Sequence, residues 1–336
     1  MGSLGGSGFP ETSRSRSMLE ILLTNLLSPI VLAFALGVVA QLIRSDLSFP
    51  EPLYQALSIY LLLAIGLKGG AELSHTPWAV VLWPALVTLL LGMLTPVTSY
   101  IVLRKIGRMD RINAAAIAAH YGSVSAVTFI AAQTFGQLQG TPAEGFMPAL
   151  VAMLEVPAIV VALMIVFLRS NRHGSWRQGL HEVLTGRSVL LLVGGVVIGY
   201  LSGMEGLKQV EPFFVNGFKG ALTLFLLEMG LVAARRLRDL KKVGAFLIGF
   251  GICMPIVHGV LGVVLGSWAG LSEGGSAVLG AMVASASYIA APAAVRISLP
   301  EANPTYYLTA SLGITFPFNL TLGIPLYFAL AHWIGG

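Results

Sequence analysis

Charge is what this sequence has least of. Only 10% of its 336 residues are Asp, Glu, Lys or Arg, against 56% apolar, and the mean hydropathy is +0.83. A chain so composed has too little polar surface to clothe a water-soluble domain, so its solvent is a bilayer. The single cysteine, Cys253, lies in an apolar run, which excludes an internal disulfide and any Cys/His metal cluster. There is no HExxH, no GxSxG, no nucleotide-cradling motif and no acidic pair on one helix face. An intramembrane hydrolase or an ATP-driven pump would have nothing to work with. The net charge of +5 does not mark a nucleic-acid binder, because the basic residues fall in the short links between apolar runs, where they set orientation.

What is present is a succession of apolar runs. Breakers divide them into ten predicted helices at about 26–43, 53–67, 78–103, 114–135, 146–168, 189–201, 220–234, 243–268, 277–295 and 306–334. This pattern predicts an all-α polytopic membrane protein rather than a barrel. The second, sixth and seventh helices are short and would need tilt or local thinning to cross. Residues 1–18, rich in Gly and Ser, read as a disordered tail. Residues 19–168 and 188–336 then form two five-helix halves, joined by a cytoplasmic linker at 169–187. Trp78, Trp83 and Trp333 fall near span ends, as interface anchors do.

Fifteen of the twenty Lys and Arg residues lie in links after odd-numbered helices. Lys68, Lys208 and Lys219 follow even-numbered ones, and Arg14 and Arg16 are in the tail. The positive-inside rule places the odd links in the cytoplasm and both termini outside. Five helices per half make the second half enter from the opposite side, so a likeness between halves is an inverted repeat. "AIGLKGGAEL" (64–73) matches "EMGLVAARRL" (228–237) at an offset of 164, which carried forward sets Ser123 opposite Ser287. "MLEVPAI" (153–159) corresponds to "GITFPFN" (313–319) after a four-residue gap.

Two polar stretches interrupt the oil, "HYGSVSAVT" (120–128) and "SASYIAAPAAVR" (285–296), in the fourth and ninth helices. One reading is close helix packing through small residues. The other is a pair of broken helices that cross, with Gly122 permitting a bend and Pro292 removing a backbone donor. Helix ends carrying partial charge would then face a shared site, with Ser123, Ser125 and Thr128 supplying short-reach oxygens. Glu155, beside Pro157 in the fifth helix, is an intramembrane acid and so a candidate cation ligand or proton carrier, its counterpart falling near Thr315. Glu228 reads as a structural acid neutralised by Lys68 or Arg235, and His120 and His258 as neutral rings with one bond each.

"YGSVSAVTFIAA", "MLEVPAIV" and the long segment from "SASYIAAPAAVR" through "PEANPTYY" to "FPFNLTLGIPLYFAL" resemble the SbtA-type sodium-dependent bicarbonate transporter family, over residues 26–334. The resemblance implies two inverted five-helix repeats, with helices 1, 2, 6 and 7 as a gate, the rest as a core, and substrate at the crossing of broken helices 4 and 9. It implies substrate contacts at Gly122, Ser123, Ser125, Thr128, Ser285, Ser287 and Tyr288, and cation coupling at Glu155, Thr128, Ser287 and Thr315. It further implies sodium as coupling ion with no other cofactor, a homotrimer in the bacterial inner membrane, and a PII-like regulatory partner. The sequence departs from the cyanobacterial pattern at Tyr288, where an acid is expected, at Val127, where a serine is, and in its short central linker. Sodium-driven bicarbonate uptake by alternating access is the leading expectation. Another small carboxylate, proton coupling through Glu155, and a non-transporting anion sensor are the alternatives.

Overall fold

The structure is a computed structural model that describes residue 23, residues 25–167, residue 181 and residues 184–335. The tail at 1–18 and most of the linker at 169–187 lie outside the described residues. Every regular element among the described residues is helical. The first half holds α1 (Pro29–Leu42), α2 (Glu51–His75), α3 (Trp78–Lys105), α4 (Arg111–Gly122), α5 (Ala126–Gln139) and α6 (Met147–Phe167). The second holds α7 (Arg187–Glu211), α8 (Phe218–Leu237), α9 (Leu240–Trp268), α10 (Glu273–Val283), α11 (Ala290–Ser298) and α12 (Pro304–Gly335). Among the described residues, six stretches are long and apolar enough to cross a membrane: α2, α3, α4 with α5, α7 with α8, α9, and α12. This is a multi-pass membrane protein.

The helix starts are written locally. Ser28 accepts from the Val31 amide before a first-turn Pro29, and Asp110 accepts from the amides of Ile112 and Asn113. Ser272 accepts from Gly275, and Asn303 accepts from Thr305 with Pro304 next. Each side chain satisfies an amide that has no partner inside its helix. α5 ends at Gly140, whose φ of 78° is the left-handed cap that glycine adopts without steric penalty.

α2 is not short: the sequence predicts 53–67, whereas the helix runs 25 residues. α7 keeps close to the predicted 189–201, because the chain leaves helical geometry at Gly203 (φ 61°, ψ −167°) and resumes helix beyond it. The breaker reading fails at Lys68-Gly69-Gly70 because those glycines serve packing rather than a turn. A Cβ on Gly70 would stand 2.0 Å from the Val196 carbonyl oxygen of α7, and one on Gly69 would stand 2.4 Å from the Pro148 ring. α2 is therefore long enough to span without thinning.

α2 packs along α7, and α1 along α8. Both pairs close through glycines, since a Cβ on Gly66 would meet the Gly195 Cα at 2.8 Å and one on Gly37 would meet the Gly230 Cα at 3.1 Å. Small residues of this kind let apolar helices associate in lipid, where no hydrophobic force drives them together. α3 to α6 and α9 to α12 pack around the buried α4, α5 and α10, whose residues are almost wholly enclosed. Outside, large apolar side chains stay exposed, among them Leu201, Trp268 and Trp333. Such a surface would aggregate in water and is solvated by lipid tails.

Candidate substrate site at two interrupted helices

α4 stops at Gly122, and Ser123 takes an extended backbone (φ −88°, ψ 155°). α5 restarts at Ala126, with Ser125 as its cap accepting from the Thr128 amide at 3.2 Å. The bend needs no left-handed glycine: Gly122 is absent from the positive-φ residues, and the extended serine makes the turn. In the second half the chain leaves α10 at Val283 and re-enters helix at Ala290. Pro292 therefore sits in the first turn of α11 and does not break a helix from within. A first-turn amide has no helical partner to lose, so proline is accommodated there.

The two interruptions are bonded to each other. The Ser287 amide donates to the His120 carbonyl at 2.8 Å, and the Ser125 amide donates to the Ser285 hydroxyl at 2.7 Å. Ser285 in turn donates to the Met282 carbonyl at 2.7 Å. The buried ends of the half-helices are thus tied to one another, which offsets part of the penalty of leaving peptide groups unpaired in hydrocarbon. Asn319, in a π-helical stretch of α12, donates to the Ala284 carbonyl at 2.9 Å and accepts from the Tyr327 hydroxyl at 3.1 Å. π-Turns of this sort recur where a helix lends backbone to a functional site.

Beside this knot lies a small cavity bounded by Val124, Ser125 and Ala126 on one side and by Ser287, Tyr288 and Ile289 on the other. Glu155 of α6 forms its floor, while Leu62 of α2 and Ser188 of α7 close it. It offers about 10 Å³ for the centre of a small molecule, room for roughly one water. Glu155 is 3% exposed. Its carboxyl lies beside the Ser123 hydroxyl without the geometry of a full hydrogen bond, and the Ser123 hydroxyl has no other partner. The Tyr288 hydroxyl is likewise buried and unpartnered beside Ser125, with its ring edge-on to Phe316 at 5.4 Å. Two buried hydroxyls without partners beside a buried carboxyl mark a place where a ligand completes the bonding.

Of the residues expected from the sequence, Ser125, Glu155, Ser287 and Tyr288 line the cavity and Ser123 abuts it. Ser285 is a strut of the crossing. Gly122 and Thr128 lie one step away along α4 and α5, outside the lining. Thr315 is elsewhere engaged, donating to the Gly251 carbonyl at 2.7 Å and lying 2.6 Å from the Tyr121 hydroxyl. The sequence reading missed Leu62, Ser188 and Asn319. Asn319 carries the one usable signal, an amide in mid-membrane within "FPFNLTLG". His120 and His258 each make one bond, to the Ala116 carbonyl at 2.7 Å and to the Thr98 hydroxyl at 2.9 Å. Glu228 makes no salt bridge among the described residues, and Arg235 donates to Gln41 instead.

Interrupted helices that meet at a buried polar cavity, inside a lipid-facing helical shell, define a solute carrier. Residues 29–332 match the Na+-dependent bicarbonate transporter superfamily, and the chain belongs to that superfamily. It is accordingly a transporter and not an enzyme, and bicarbonate is the anion the family's description names. No curated protein matches the chain.

Proposed function

We propose that this chain takes up bicarbonate together with sodium, by alternating access around the cavity at the crossing. The supporting observation is the pair of unpartnered hydroxyls on Ser123 and Tyr288 beside the buried carboxyl of Glu155, which makes no salt bridge among the described residues. No basic side chain lines the cavity. The anion would be held by the first-turn amides of α5 and the hydroxyls of Ser125 and Ser287, a set suited to one delocalised charge. Sodium, a hard cation, would take oxygens from Glu155, Ser123 and the unwound backbone.

Repeat symmetry supports the same reading. The relay runs from Ser125 to Met282 and the direct bond from Ser287 to His120; Ser125 with Ser287, and His120 with Met282, are each 162 residues apart, so the two interruptions grip each other reciprocally, with Ser125 rather than Ser123 standing opposite Ser287. The glycine contacts of α1 with α8 and α2 with α7 are reciprocal too. In this reading α1, α2, α7 and α8 form a gate, the remaining helices form a core, and both termini face outward. The cavity is too small for a four-heavy-atom anion, and two of its walls, Leu62 and Ser188, belong to the gate. Displacement of core against gate would therefore open it.

Proton coupling is the second reading, and Glu155 itself favours it. A carboxyl buried in the membrane with no basic partner must be neutralised by a proton or a metal ion. Initial rates of labelled bicarbonate uptake into proteoliposomes, under a sodium gradient alone and a proton gradient alone, separate the two. Uptake that follows sodium supports the proposal; uptake that follows only protons moves the coupling to Glu155 protonation; no flux under either rejects transport of bicarbonate.

A further inference from the structure

Outward along α2 and α5 from the crossing lies a second cavity of about 380 Å³, in the size range of ligand sites. The two cavities share their walls: Leu62 and Ala126 bound the small one, while Ile65 and Lys68, one and two turns along α2, and Ile130, Gln133 and Gln137 along α5 bound the large one. At about 1.5 Å per residue, Lys68 stands roughly 9 Å beyond Leu62. The far wall comes from the turn between α7 and α8 and includes Asn216 and Lys219. No carboxylate lines this space.

The lysines are unusual for their position. Outside the tail, only Lys68 late in α2, Lys208 in α7 and Lys219 at the start of α8 fall on the side that the positive-inside count assigns to the exterior. Lys208 is paired with Glu205 at 2.7 Å. Lys68 and Lys219 make no salt bridge among the described residues, yet both face this one cavity with three side-chain amides. Two uncompensated cations in a concave, low-dielectric mouth concentrate anions there and raise their arrival rate.

We propose that this cavity is an anion-loading vestibule on the external face, in which Lys68 and Lys219 gather monovalent oxyanions and hand them to the crossing. The assignment to the outer face and the handing-on rest on the transport reading above; the positive field of the cavity does not. The vestibule supplies capture without tight binding, since its volume far exceeds that of a bicarbonate ion and its amides can solvate an anion without fixing it.

The test reads the field directly. A thiol is placed at Gln133→Cys in a Cys253→Ser background, and intact cells are treated from outside with anionic and cationic methanethiosulfonates of similar size. The anionic reagent should react faster, by about three- to tenfold after correction for intrinsic rates, and Lys68→Gln with Lys219→Gln should abolish the preference. High salt should also erase it, because the Debye length falls to about 3 Å at 1 M. In proteoliposomes the double Lys variant should raise KM for external bicarbonate by a similar factor and leave kcat unchanged. Equal reagent rates with and without the lysines, or labelling only from the cytoplasmic side, overturn the vestibule. An anionic preference in a protein that moves no bicarbonate leaves the anion vestibule standing and rejects the transport reading instead.

Discussion

The Ser287 amide reaches the His120 carbonyl at 2.8 Å, and its counterpart across the crossing, the Ser125 amide, reaches the Met282 carbonyl only through the Ser285 hydroxyl. One side of the knot is a direct bond and the other is a relay. The relay depends on a single side chain, which makes Ser285 the most exposed point of the assembly to mutation.

Ser285→Ala deletes that relay and leaves the buried Ser125 amide unsatisfied, while the Met282 carbonyl keeps its bond from the residue 285 amide at 3.2 Å. The expected loss is about 1–3 kcal/mol, read as a lowered unfolding temperature in detergent. Ser285→Thr keeps the hydroxyl and should recover most of the loss. Equal melting of Ser285→Ala and the wild type would show that the crossing is not held by this bond.

The contact between α2 and α7 closes on glycine. A Cβ on Gly199 would lie 2.1 Å from the Leu67 carbonyl oxygen, whereas one on Gly194, a few residues earlier on α7, meets nothing within 4 Å. Gly199→Ala should therefore force α2 and α7 apart, at a cost of about 1–3 kcal/mol. Gly194→Ala should be neutral or slightly stabilising. Paired melting curves decide, and similar effects at the two positions would contradict the packing described.

Glu144, in the link before α6, binds the Ser272 amide at 2.6 Å at the start of α10. The carboxylate both caps that helix and complements its dipole. Glu144→Ala should cost about 1 kcal/mol, with Glu144→Gln intermediate, measured by thermal unfolding. An unchanged melting temperature in Glu144→Ala would remove the cap from the account.

Asp110, in the link before α4, titrates below the ordinary carboxylate value: burial pushes it up, and hydrogen bonds from Asn113 and Ile112 outweigh that and bring it down. A carboxyl depressed in the folded state contributes stability above its unfolded value and loses it as pH falls through the folded one. Asp110→Ala should thus cost about 1 kcal/mol near neutrality, and the difference from wild type should shrink as the acid range is entered. A difference that stays constant down to about pH 3 would show that the charge plays no part.

The interruptions are legible because hydroxyls in hydrocarbon need a reason, and two clusters of them, "HYGSVSAVT" and "SASYIAAPAAVR", recur in corresponding places of the two halves, which single packing contacts do not require. Glu155 stands out for the same cause. The end of α2 is not legible, since Gly69 and Gly70 look like a turn until the neighbours are seen against them, whereas the break at Gly203 falls close to the predicted end of the sixth helix. Pro292 misleads in the same way, marking a helix start where the one-dimensional reading sees a break. Ser188 carries no signal at all: a serine at the edge of a basic link becomes a cavity wall only through the fold. Thr315 is legible as intramembrane and polar, and only its bonds to Tyr121 and Gly251 explain why it lies apart from the cavity.

The account rests on the cavity between Ser123, Glu155 and Tyr288, and uptake of labelled bicarbonate by Ser123→Ala, Glu155→Gln and Tyr288→Phe tests it most directly. Each variant should keep its melting temperature close to wild type while its uptake falls at least about tenfold, equivalent to about 1.4 kcal/mol of lost stabilisation. Three folded variants that carry bicarbonate at the wild-type rate would contradict it and place the site elsewhere.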